Sequence, residues 1–221
     1  MEVNKKISYY TQQFTSLKVC VIIPTYNNAR TIVQVVNSVL TYTPNIIIIN
    51  DGCTDETASL IQHFKDIDIV SYADNQGKGY ALRKGFEKAI ELDYEYAITI
   101  DSDGQHFAYD LPLFIDALVM EGAALIMGAR NLNQENVPGK SSFGNKFSNF
   151  WFKIETGKEM PDTQSGFRLY PVFRYKEAKF FTRKYEFEIE IIVRSSWMGI
   201  EVLPVPIKVY YPKPEERVSH F

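Results

Sequence analysis

Short apolar runs alternate along the chain with segments whose apolar residues recur at helical spacing, and no other feature restricts the possible folds as strongly. The runs KVCVIIP (18–24) and NIIIIND (45–51) are rich in β-branched residues and end in turn-forming ones, as expected of strands covered on both faces. DIDIVSY (66–72), EYAITID (95–101) and AALIMGA (123–129) have the same character. This alternation predicts an α/β fold with a mainly parallel, Rossmann-like sheet flanked by helices.

Composition and charge narrow the class of protein. With 45% hydrophobic and 14% aromatic residues, the 221-residue chain can bury a full core. Its 24 Lys and Arg residues are outnumbered by 27 Asp and Glu residues, so the net charge of -3 gives no case for nucleic-acid binding. Cys20 and Cys53 lie outside any CxxC motif, which argues against a disulfide or metal framework and favours a reducing, cytoplasmic compartment. No stretch approaches the roughly 20 apolar residues of a membrane span, so we expect a protein that is soluble or lies on a membrane without crossing it.

The pattern changes after residue 130. Residues 131–142 are polar and turn-rich and predict a loop, whereas 144–157 and 184–199 carry apolar residues at helical spacings and predict helices. Residues 200–211 return to a strand pattern, and the two prolines within it favour an edge strand or a bulge over a central strand.

Two aspartates follow a predicted buried strand in TIDSDGQH (99–106). Asp101 and Asp103 are one residue apart, so an extended backbone can point both carboxylates in the same direction. Carboxylate oxygens beside a phosphate are ligands that Mg²⁺ and Mn²⁺ favour. A solvated Asp-Gly turn would explain the same residues, but the end of a buried strand is where α/β sheets bind ligands.

A third aspartate ends the predicted strand at 45–51. Asp51 shares the carboxyl edge of the sheet with Asp101, where it could accept hydrogen bonds from a base or a ribose. The TDET that follows resembles the start of a helix, so Asp55 and Glu56 are predicted to be structural.

The segment NQGKGYALRKGF (75–86) opens another predicted helix. Its glycines half match a dinucleotide-binding motif, but Leu82 stands where that motif requires Gly or Ala. Free amides at the start of the helix, together with the cation of Lys78, still favour a nearby anion.

Six short segments occur in the order seen in one enzyme family: IPTYNN, IINDGCTDET, NQGKGYALRKGF, TIDSDGQH, GARN and DTQSGFRLY. Together they resemble family-2 glycosyltransferases of the GT-A fold, and within them the dolichol-phosphate mannosyltransferase and polyprenyl-phosphate glycosyltransferase branch. The resemblance spans residues 18–212. It implies one GT-A domain with a nucleotide-sugar-binding half (18–130) and a smaller acceptor-side half (131–212), between an N-terminal extension (1–17) and a C-terminal tail (213–221).

The resemblance also implies roles for residues on the donor side. The segments that hold the base and ribose of a GDP- or UDP-linked sugar match Pro24, Thr25, Tyr26, Asn27 and Asp51. Gly77 and Lys78 are further substrate-binding candidates. Asp101 and Asp103 match the DxD motif, which binds a divalent cation, Mg²⁺ or Mn²⁺, on the diphosphate, and Gln105 matches a further metal-side position.

On the acceptor side, Arg130 and Arg168 match cations expected near the transferred sugar or the acceptor phosphate, and Asp162 is a substrate-binding candidate. The chain departs from the family pattern at Ser165, where a cysteine is commoner, and it has no arginine beside its final strand unless Arg217 substitutes for it.

The activity implied is a metal-dependent, inverting transfer of a hexosyl group to a polyprenyl or dolichyl phosphate. A lipid phosphate is already ionised and needs positioning, whereas a glycan hydroxyl, the alternative acceptor in polysaccharide or cell-wall assembly, needs a general base. The candidate bases for that alternative are Glu186, Glu188 and Glu190, which would otherwise form a charged helix face or salt bridges. A non-catalytic, Mg²⁺-binding regulatory domain is a third hypothesis, but it leaves residues 139–212 unexplained.

A lipid acceptor implies peripheral association with the inner face of a membrane. Residues 143–151 carry four large aromatic side chains, Phe143, Phe147, Phe150 and Trp151, beside Lys140, Lys146 and Lys153. A basic amphipathic helix of this kind can lie in the membrane interface, although aromatic residues that pack on the sheet would give the same pattern.

Overall fold

The computed structural model describes residues 2–131 and 139–211, with side chains from residue 144 onward in the second range. Arg217 and the predicted tail at 213–221 lie outside the described residues, as do most of the predicted loop at 131–142 and the side chains of Lys140 and Phe143. The strands are β1 (Val19–Thr25), β2 (Ile46–Asp51), β3 (Asp68–Tyr72), β4 (Tyr96–Thr99), β5 (Leu125–Arg130), β6 (Arg168–Tyr170) and β7 (Val202–Ile207). The helices are α1 (Glu2–Ser16), α2 (Ile32–Leu40), α3 (Thr57–Ile61), α4 (Lys78–Glu91), α5 (Leu111–Glu121), α6 (Gly139–Thr156) and α7 (Glu186–Trp197).

The seven strands form one sheet in the order β3-β2-β1-β4-β6-β5-β7. The strands β3, β2, β1 and β4 are parallel, as are β5 and β7, which confirms the α/β fold and its mainly parallel sheet. The predicted final strand is β7, and it lies at the edge of the sheet as its two prolines indicated.

One strand was not predicted. β6 is only three residues long, yet it lies between β4 and β5 and is antiparallel to both. A run of three residues is too short to show an alternating pattern, so the sequence carries no usable signal for it. Its insertion separates β4 from β5, which the simple alternation would have placed side by side.

Both faces of the sheet are covered, which explains the uninterrupted apolar runs. Every residue of β1 and β2 is buried. One hydrophobic layer packs α1, α2 and α5 against the sheet, and the other packs α4, α6 and α7 against the opposite face. In the described part of the chain, no helix combines the length and apolar character needed to cross a membrane.

Two segments differ from the local predictions. Residues 2–16, which carried no predicted element, form α1 and bury Tyr10 and Phe14, and the Tyr10 hydroxyl donates to the Asp116 carboxylate. Helix α6 begins at Gly139, inside the predicted loop. The glycine and serines that indicated a turn there are also accepted at the start of a helix.

Candidate functional site

The sequence-predicted site residues converge at the carboxyl ends of three adjacent parallel strands. β1 lies between β2 and β4, so Asp51 at the end of β2 and Asp101 just beyond β4 flank the end of β1 at Thr25. Pro24 and Thr25 are buried within β1, and the chain becomes partly exposed at Tyr26. This edge is where ligands bind to open α/β sheets.

A group of four charged side chains, three of them buried and one partly exposed, forms the centre of the site. The Nζ atom of Lys78 lies 2.9 Å from Oδ1 and 3.1 Å from Oδ2 of Asp101, and 3.3 Å from Oε1 of Glu188. The Nη2 atom of Arg168 lies 4.0 Å from the same Glu188 oxygen. We call Lys78, Asp101, Glu188 and Arg168 the acid–base cluster. It contains two cations and two carboxylates, so its charge is balanced.

The surroundings favour the ionised forms of Asp101 and Lys78. Burial alone would raise the pKa of Asp101, but the Lys78 ammonium and other nearby cations lower it below its usual range. Burial likewise lowers the pKa of Lys78, and Asp101 and Glu188 more than reverse this. A Cβ atom at Gly166 would lie 2.6 Å from Asp101 Oδ2 and 2.7 Å from Lys78 Nζ, so only glycine leaves room for this ion pair.

Asp103 lies outside the cluster and is less constrained. Its Oδ1 atom accepts a hydrogen bond of 2.9 Å from the Gln105 backbone N–H. Burial and the neighbouring charge of Asp101 raise the pKa of Asp103 to about 6. The two carboxylates are therefore close enough to repel each other, which is the electrostatic condition that a shared cation would relieve.

The turn that carries these aspartates is fixed by residues that the sequence reasoning missed. The Asn28 side chain donates to the Ser102 hydroxyl at 3.0 Å, and the Thr31 hydroxyl donates to the Ser102 carbonyl at 2.6 Å. Asn28 is buried, and a buried amide that bridges two loops holds their relative position. A polar side chain directly after IPTYN was the available signal for it.

The donor set fits a divalent cation. Asp101 and Asp103 offer hard carboxylate oxygens, and the partly exposed Gln105 side chain could add an amide oxygen. Among the described residues, no group of three or more His, Cys, Asp and Glu side chains is placed to hold a metal ion. A cation here would thus take its remaining ligands from a bound phosphate or water, as Mg²⁺ usually does.

His106 lies beside these carboxylates. It is buried against the ring of Phe167, burial lowers the pKa of His106 to about 4, and its Nδ1 atom has no hydrogen-bond partner among the described residues. Because the ring is neutral at physiological pH, it can accept a hydrogen bond or ligate a metal ion, but it cannot supply positive charge.

Asp51 lies at the predicted edge of the sheet, but its carboxylate accepts hydrogen bonds from groups of the protein itself. The side chain is fully buried, and its carboxylate accepts hydrogen bonds from Asn75 Nδ2 at 2.9 Å, Gln76 N at 2.8 Å and Gly77 N at 3.0 Å. The expectation of a free amide at Gly77 for a ligand anion is therefore wrong, because the Asp51 carboxylate already occupies that position. In this geometry Asp51 anchors the loop that leads to Lys78.

The next loop is cross-linked in a similar way. Asn27 adopts a positive φ of 53°, and its Oδ1 atom accepts hydrogen bonds from the backbone N–H groups of Thr54 and Asp55. The Asp55 carboxylate accepts from Thr57 N at 3.0 Å, at the start of α3, in keeping with the structural role predicted for it. Tyr26 and Asn27 thus present a fixed, partly exposed surface beside Cys53.

On the other side of the carboxylates, Arg130 and Asp162 form a bidentate pair. Arg130 Nε lies 2.6 Å from Asp162 Oδ2, and Arg130 Nη2 lies 3.0 Å from Oδ1. Asp162 is fully buried, whereas the Arg130 side chain remains 16% exposed. Only Arg130 of this pair can reach a ligand without rearrangement.

Arg168 lies deeper than the sequence suggested. It is fully buried, and its guanidinium donates to the backbone carbonyls of Ser165, Thr163 and Glu188. Direct contact with a substrate is not possible in this arrangement, because β6 and α7 enclose the side chain. Arg168 instead fixes the segment 163–168 to α7.

The three glutamates of α7 have different surroundings. Glu186 is exposed, and Glu188 belongs to the acid–base cluster. Glu190 accepts hydrogen bonds from the backbone of Phe181 and Thr182 and forms a salt bridge with Arg194. None of them combines proximity to the carboxylate turn with an unengaged carboxylate.

Helix α6 has two contrasting faces. On one face, the side-chain amides of Asn145 and Asn149 donate hydrogen bonds to the Pro161 carbonyl, and their Oδ1 atoms accept from the Thr163 backbone N–H. These bonds fix the loop that contains Asp162. The other face exposes large apolar side chains, namely Phe147, Phe150, Trp151 and Ile154. The alternative prediction that the aromatic side chains pack on the sheet is therefore wrong for Phe147, Phe150 and Trp151. The neighbouring Phe152, which was not among the predicted residues, is fully buried.

Comparison with known proteins gives a consistent result. The model of glycosyl transferase family 2 matches residues 20–177. A UDP-N-acetylglucosamine–dolichyl-phosphate N-acetylglucosaminyltransferase of Methanococcus voltae is 27% identical over 212 residues, covering 86% of this chain and 84% of its own. A polyprenol monophosphomannose synthase of Mycolicibacterium smegmatis is 27% identical over 200 residues, covering 85% of this chain and 75% of its own.

Among solved structures, a glucosyl-3-phosphoglycerate synthase of Mycobacterium tuberculosis in complex with Mn²⁺, UDP and glucosyl-3-phosphoglycerate matches with a TM-score of 0.71. The match covers 95% of this chain and 77% of the other at 18% identity, so it shows the likeness of fold alone. The family match spans more than half of the chain and includes the carboxylate turn. The protein belongs to glycosyl transferase family 2 and is a glycosyltransferase of the GT-A fold.

Proposed function

We propose that this glycosyltransferase moves a hexosyl group from a nucleotide-sugar to a polyprenyl phosphate in a metal-dependent, inverting reaction. The observation that carries the proposal is the pair Asp101 and Asp103 at the carboxyl edge of the sheet, beside the partly exposed cation of Arg130. Two relatives support the same class of acceptor. The one from Methanococcus voltae is a dolichyl-phosphate N-acetylglucosaminyltransferase, and the one from Mycolicibacterium smegmatis is a polyprenol monophosphomannose synthase.

The donor half of the proposal assigns residues 18–130 to the nucleotide-sugar. Tyr26 and Asn27 lie where a base and ribose would be held, with Pro24 and Thr25 beneath them and Asp51 fixing the adjacent loop. Either UDP or GDP fits this description, and UDP is the nucleotide in the M. tuberculosis complex.

Asp101 and Asp103, with Gln105, would hold Mg²⁺ or Mn²⁺. When bound, the ion would act as a Lewis acid that stabilises the departing diphosphate. The chain's own contribution is to keep the Asp101 carboxylate ionised and to orient the turn that carries both carboxylates. The Asn28 and Thr31 hydrogen bonds to Ser102 provide that orientation.

The acceptor side of the site, where Arg130 meets the described residues of the acceptor half (131–212), offers a phosphate-binding cation more readily than a general base. Glu188 and Glu190 are engaged in ion pairs and hydrogen bonds, so neither is placed to deprotonate a sugar hydroxyl. A lipid phosphate is ionised near neutral pH and needs no base. The partly exposed guanidinium of Arg130 could bind this phosphate, while Asp162 and Arg168 fix the loops around Arg130.

The exposed face of α6 supports peripheral association with the cytoplasmic face of a membrane. Phe147, Phe150, Trp151 and Ile154 are each more than two-fifths exposed, and Lys146 and Lys153 lie on the same helix. Aromatic residues beside lysines suit the interface of an anionic bilayer. The opposite face of α6 fixes the Asp162 loop, so the same helix would hold the acceptor side of the site close to the lipid surface.

The reaction is tested with purified protein, Mn²⁺ and a panel of radiolabelled UDP- and GDP-sugars, using vesicles with and without polyprenyl phosphate. We expect label to enter the lipid only when polyprenyl phosphate is present, and the Asp103→Asn variant to transfer none. Robust transfer to a soluble glycan, with none to polyprenyl phosphate, would replace this proposal by the glycan-hydroxyl alternative.

Membrane docking is tested separately by sedimentation with anionic vesicles that lack polyprenyl phosphate. The Phe150→Ser variant should bind them less than the parent, and Tyr9→Ser, which removes an aromatic ring of similar exposure from α1, should bind equally well. Equal loss in both variants, or in neither, would remove α6 as the docking surface.

A further inference from the structure

We propose that Lys78 is a resident counter-cation that competes with the divalent metal for Asp101, and that Glu188 is the positioning residue that receives Lys78 when the metal binds. This inference rests on the metal site of the proposed function. It concerns how the chain prepares that site, and it assigns a task to Glu188, which the transfer chemistry itself leaves without one.

The position of Lys78 is the first argument. Its ammonium contacts both oxygens of Asp101, at 2.9 and 3.1 Å, so it occupies the side of the carboxylate that a metal ion would use. Lys78 is the first residue of α4, and its side chain is only 9% exposed. The ammonium therefore cannot simply turn into bulk water when a metal arrives, because burial makes an unpaired charge costly.

Glu188 provides the second argument. Its Oε1 atom is buried and accepts no hydrogen bond from any described residue, although it faces Lys78 Nζ at 3.3 Å. A charge-assisted N–H···O bond prefers about 2.8 Å and a near-linear approach, so a displacement of roughly 0.5 Å with a reorientation of the ammonium would convert this contact into a full hydrogen bond. An acceptor site for Lys78 thus exists next to the one that it occupies.

The charges of the cluster give the third argument. Lys78 and Arg168 balance Asp101 and Glu188, while Asp103 lies outside this balance. When a divalent cation takes Asp101 and Asp103, Lys78 loses its partner and Glu188 becomes the remaining anion within reach. Arg168 cannot take that anion fully, because its guanidinium is already used by three backbone carbonyls.

Gly166 gives the displacement its space. The atoms nearest to a Cβ at this position would be Asp101 Oδ2 and Lys78 Nζ, each closer than 3 Å. The absence of a side chain leaves the ion pair free to adjust on that side. The ion pair already requires this room where it stands, and a lysine that changes partners would require it as well.

The experiment measures Mn²⁺ binding alone, by the loss of the free-ion signal in electron paramagnetic resonance, without nucleotide and without turnover. We expect Glu188→Gln to weaken Mn²⁺ binding by about tenfold, because Lys78 then has Asp101 as its only anionic partner. Lys78→Met should strengthen binding by about tenfold, because Asp101 is released. Glu190→Gln is the matched control on the same helix and should bind Mn²⁺ as the parent does.

The double variant separates positioning from simple charge. If Glu188 acts through Lys78, then Glu188→Gln should change Mn²⁺ affinity by less than about threefold in the Lys78→Met background. The same fold-change in both backgrounds, or no change in either, would overturn the inference while leaving the metal site intact. A parent protein that binds no Mn²⁺ would instead overturn the metal site and this inference together.

The test does not depend on the buried Lys78→Met variant folding. Glu188→Gln is isosteric, and Glu188→Asp keeps the charge but shortens the reach, so the aspartate variant should recover part of the lost Mn²⁺ affinity. Thermal unfolding of each variant is recorded alongside. A fall in stability with unchanged Mn²⁺ affinity in Glu188→Gln would show a merely structural ion pair and refute the proposal.

Discussion

Asp51 offers the sharpest distinction between a residue that contacts substrate and one that holds the site together. Its fully buried carboxylate accepts hydrogen bonds from Asn75 Nδ2, Gln76 N and Gly77 N. The substitution Asp51→Asn keeps the shape of the side chain but replaces one acceptor oxygen by an NH₂ donor. In either orientation of the amide, at least one of these three donors then faces another donor.

The expected cost follows from those contacts. An unsatisfied buried donor costs about 1–3 kcal/mol, and the remaining hydrogen bonds lose their charge assistance, so we expect Asp51→Asn to lower the free energy of unfolding by about 3 kcal/mol. In a domain of this size about 1 kcal/mol corresponds to a change in melting temperature of roughly 2–4 °C, which gives a decrease of roughly 6–12 °C.

Differential scanning calorimetry without ligand measures this change directly. Asp55→Asn is the control, because it alters an exposed carboxylate of the neighbouring loop and asparagine can still accept the hydrogen bond of Thr57. We expect the control to shift the melting temperature by less than about 2 °C. If Asp51→Asn keeps the parent's melting temperature and only weakens nucleotide binding, then Asp51 contacts the nucleoside directly and the anchoring role is wrong.

Three further variants test the surrounding framework. Burial raises the pKa of Asp162, but the hydrogen bond and charge of Arg130 outweigh this and hold that pKa below the ordinary carboxyl value of 3.8. The pair therefore stabilises the fold fully above that value and loses this contribution as the pH falls through the lower pKa of the folded state. Asp162→Asn should cost stability in urea unfolding at pH 7, and this cost should shrink as the pH is lowered below 3.8; a cost that does not change with pH would refute the ion pair. Asn28→Ala should release Ser102 and weaken Mn²⁺-dependent nucleotide binding in calorimetry by about tenfold, or about 1.4 kcal/mol; unchanged binding would contradict this. Gly166→Ala should disturb the acid–base cluster and lower the melting temperature in calorimetry, and an unchanged melting temperature would contradict the crowding that a Cβ at this position implies.

The parts of the fold that the sequence predicts are those whose signal is local. β1 and β2 are continuous β-branched runs because both of their faces are covered, and that burial is visible in the composition of each run. β6 is not visible in this way, since three residues cannot establish a period and its pairing depends on two strands distant in sequence. The start of α6 was missed because glycine and serine are compatible with both a turn and the first turn of a helix.

The same contrast between local signals and long-range packing applies to the residues of the candidate site. The positions of Asp101 and Asp103 follow from the strand before them. Short motifs of this kind also carry the resemblance of the chain to its family. The burial of Arg168 and the pairing of Glu188 with Lys78 depend on how α7 packs across α4 and β6, which no local pattern records. The resemblance implied that Arg130 and Arg168 are both cations near the substrate, and packing leaves only Arg130 of these two partly exposed.

The placement of Asp51 also bears on why this site would need a metal. In many nucleotide-binding α/β folds the amides at a helix start hold the phosphate. Here the Gly77 amide at the start of α4 is occupied by Asp51, and Lys78, the first residue of that helix, is turned into the acid–base cluster. A diphosphate arriving at this edge would meet the carboxylates of Asp101 and Asp103 without the Gly77 amide, which favours the added cation that we propose. The Asp51 carboxylate thereby takes that amide from the anion-binding role that the half-matched glycine motif first suggested.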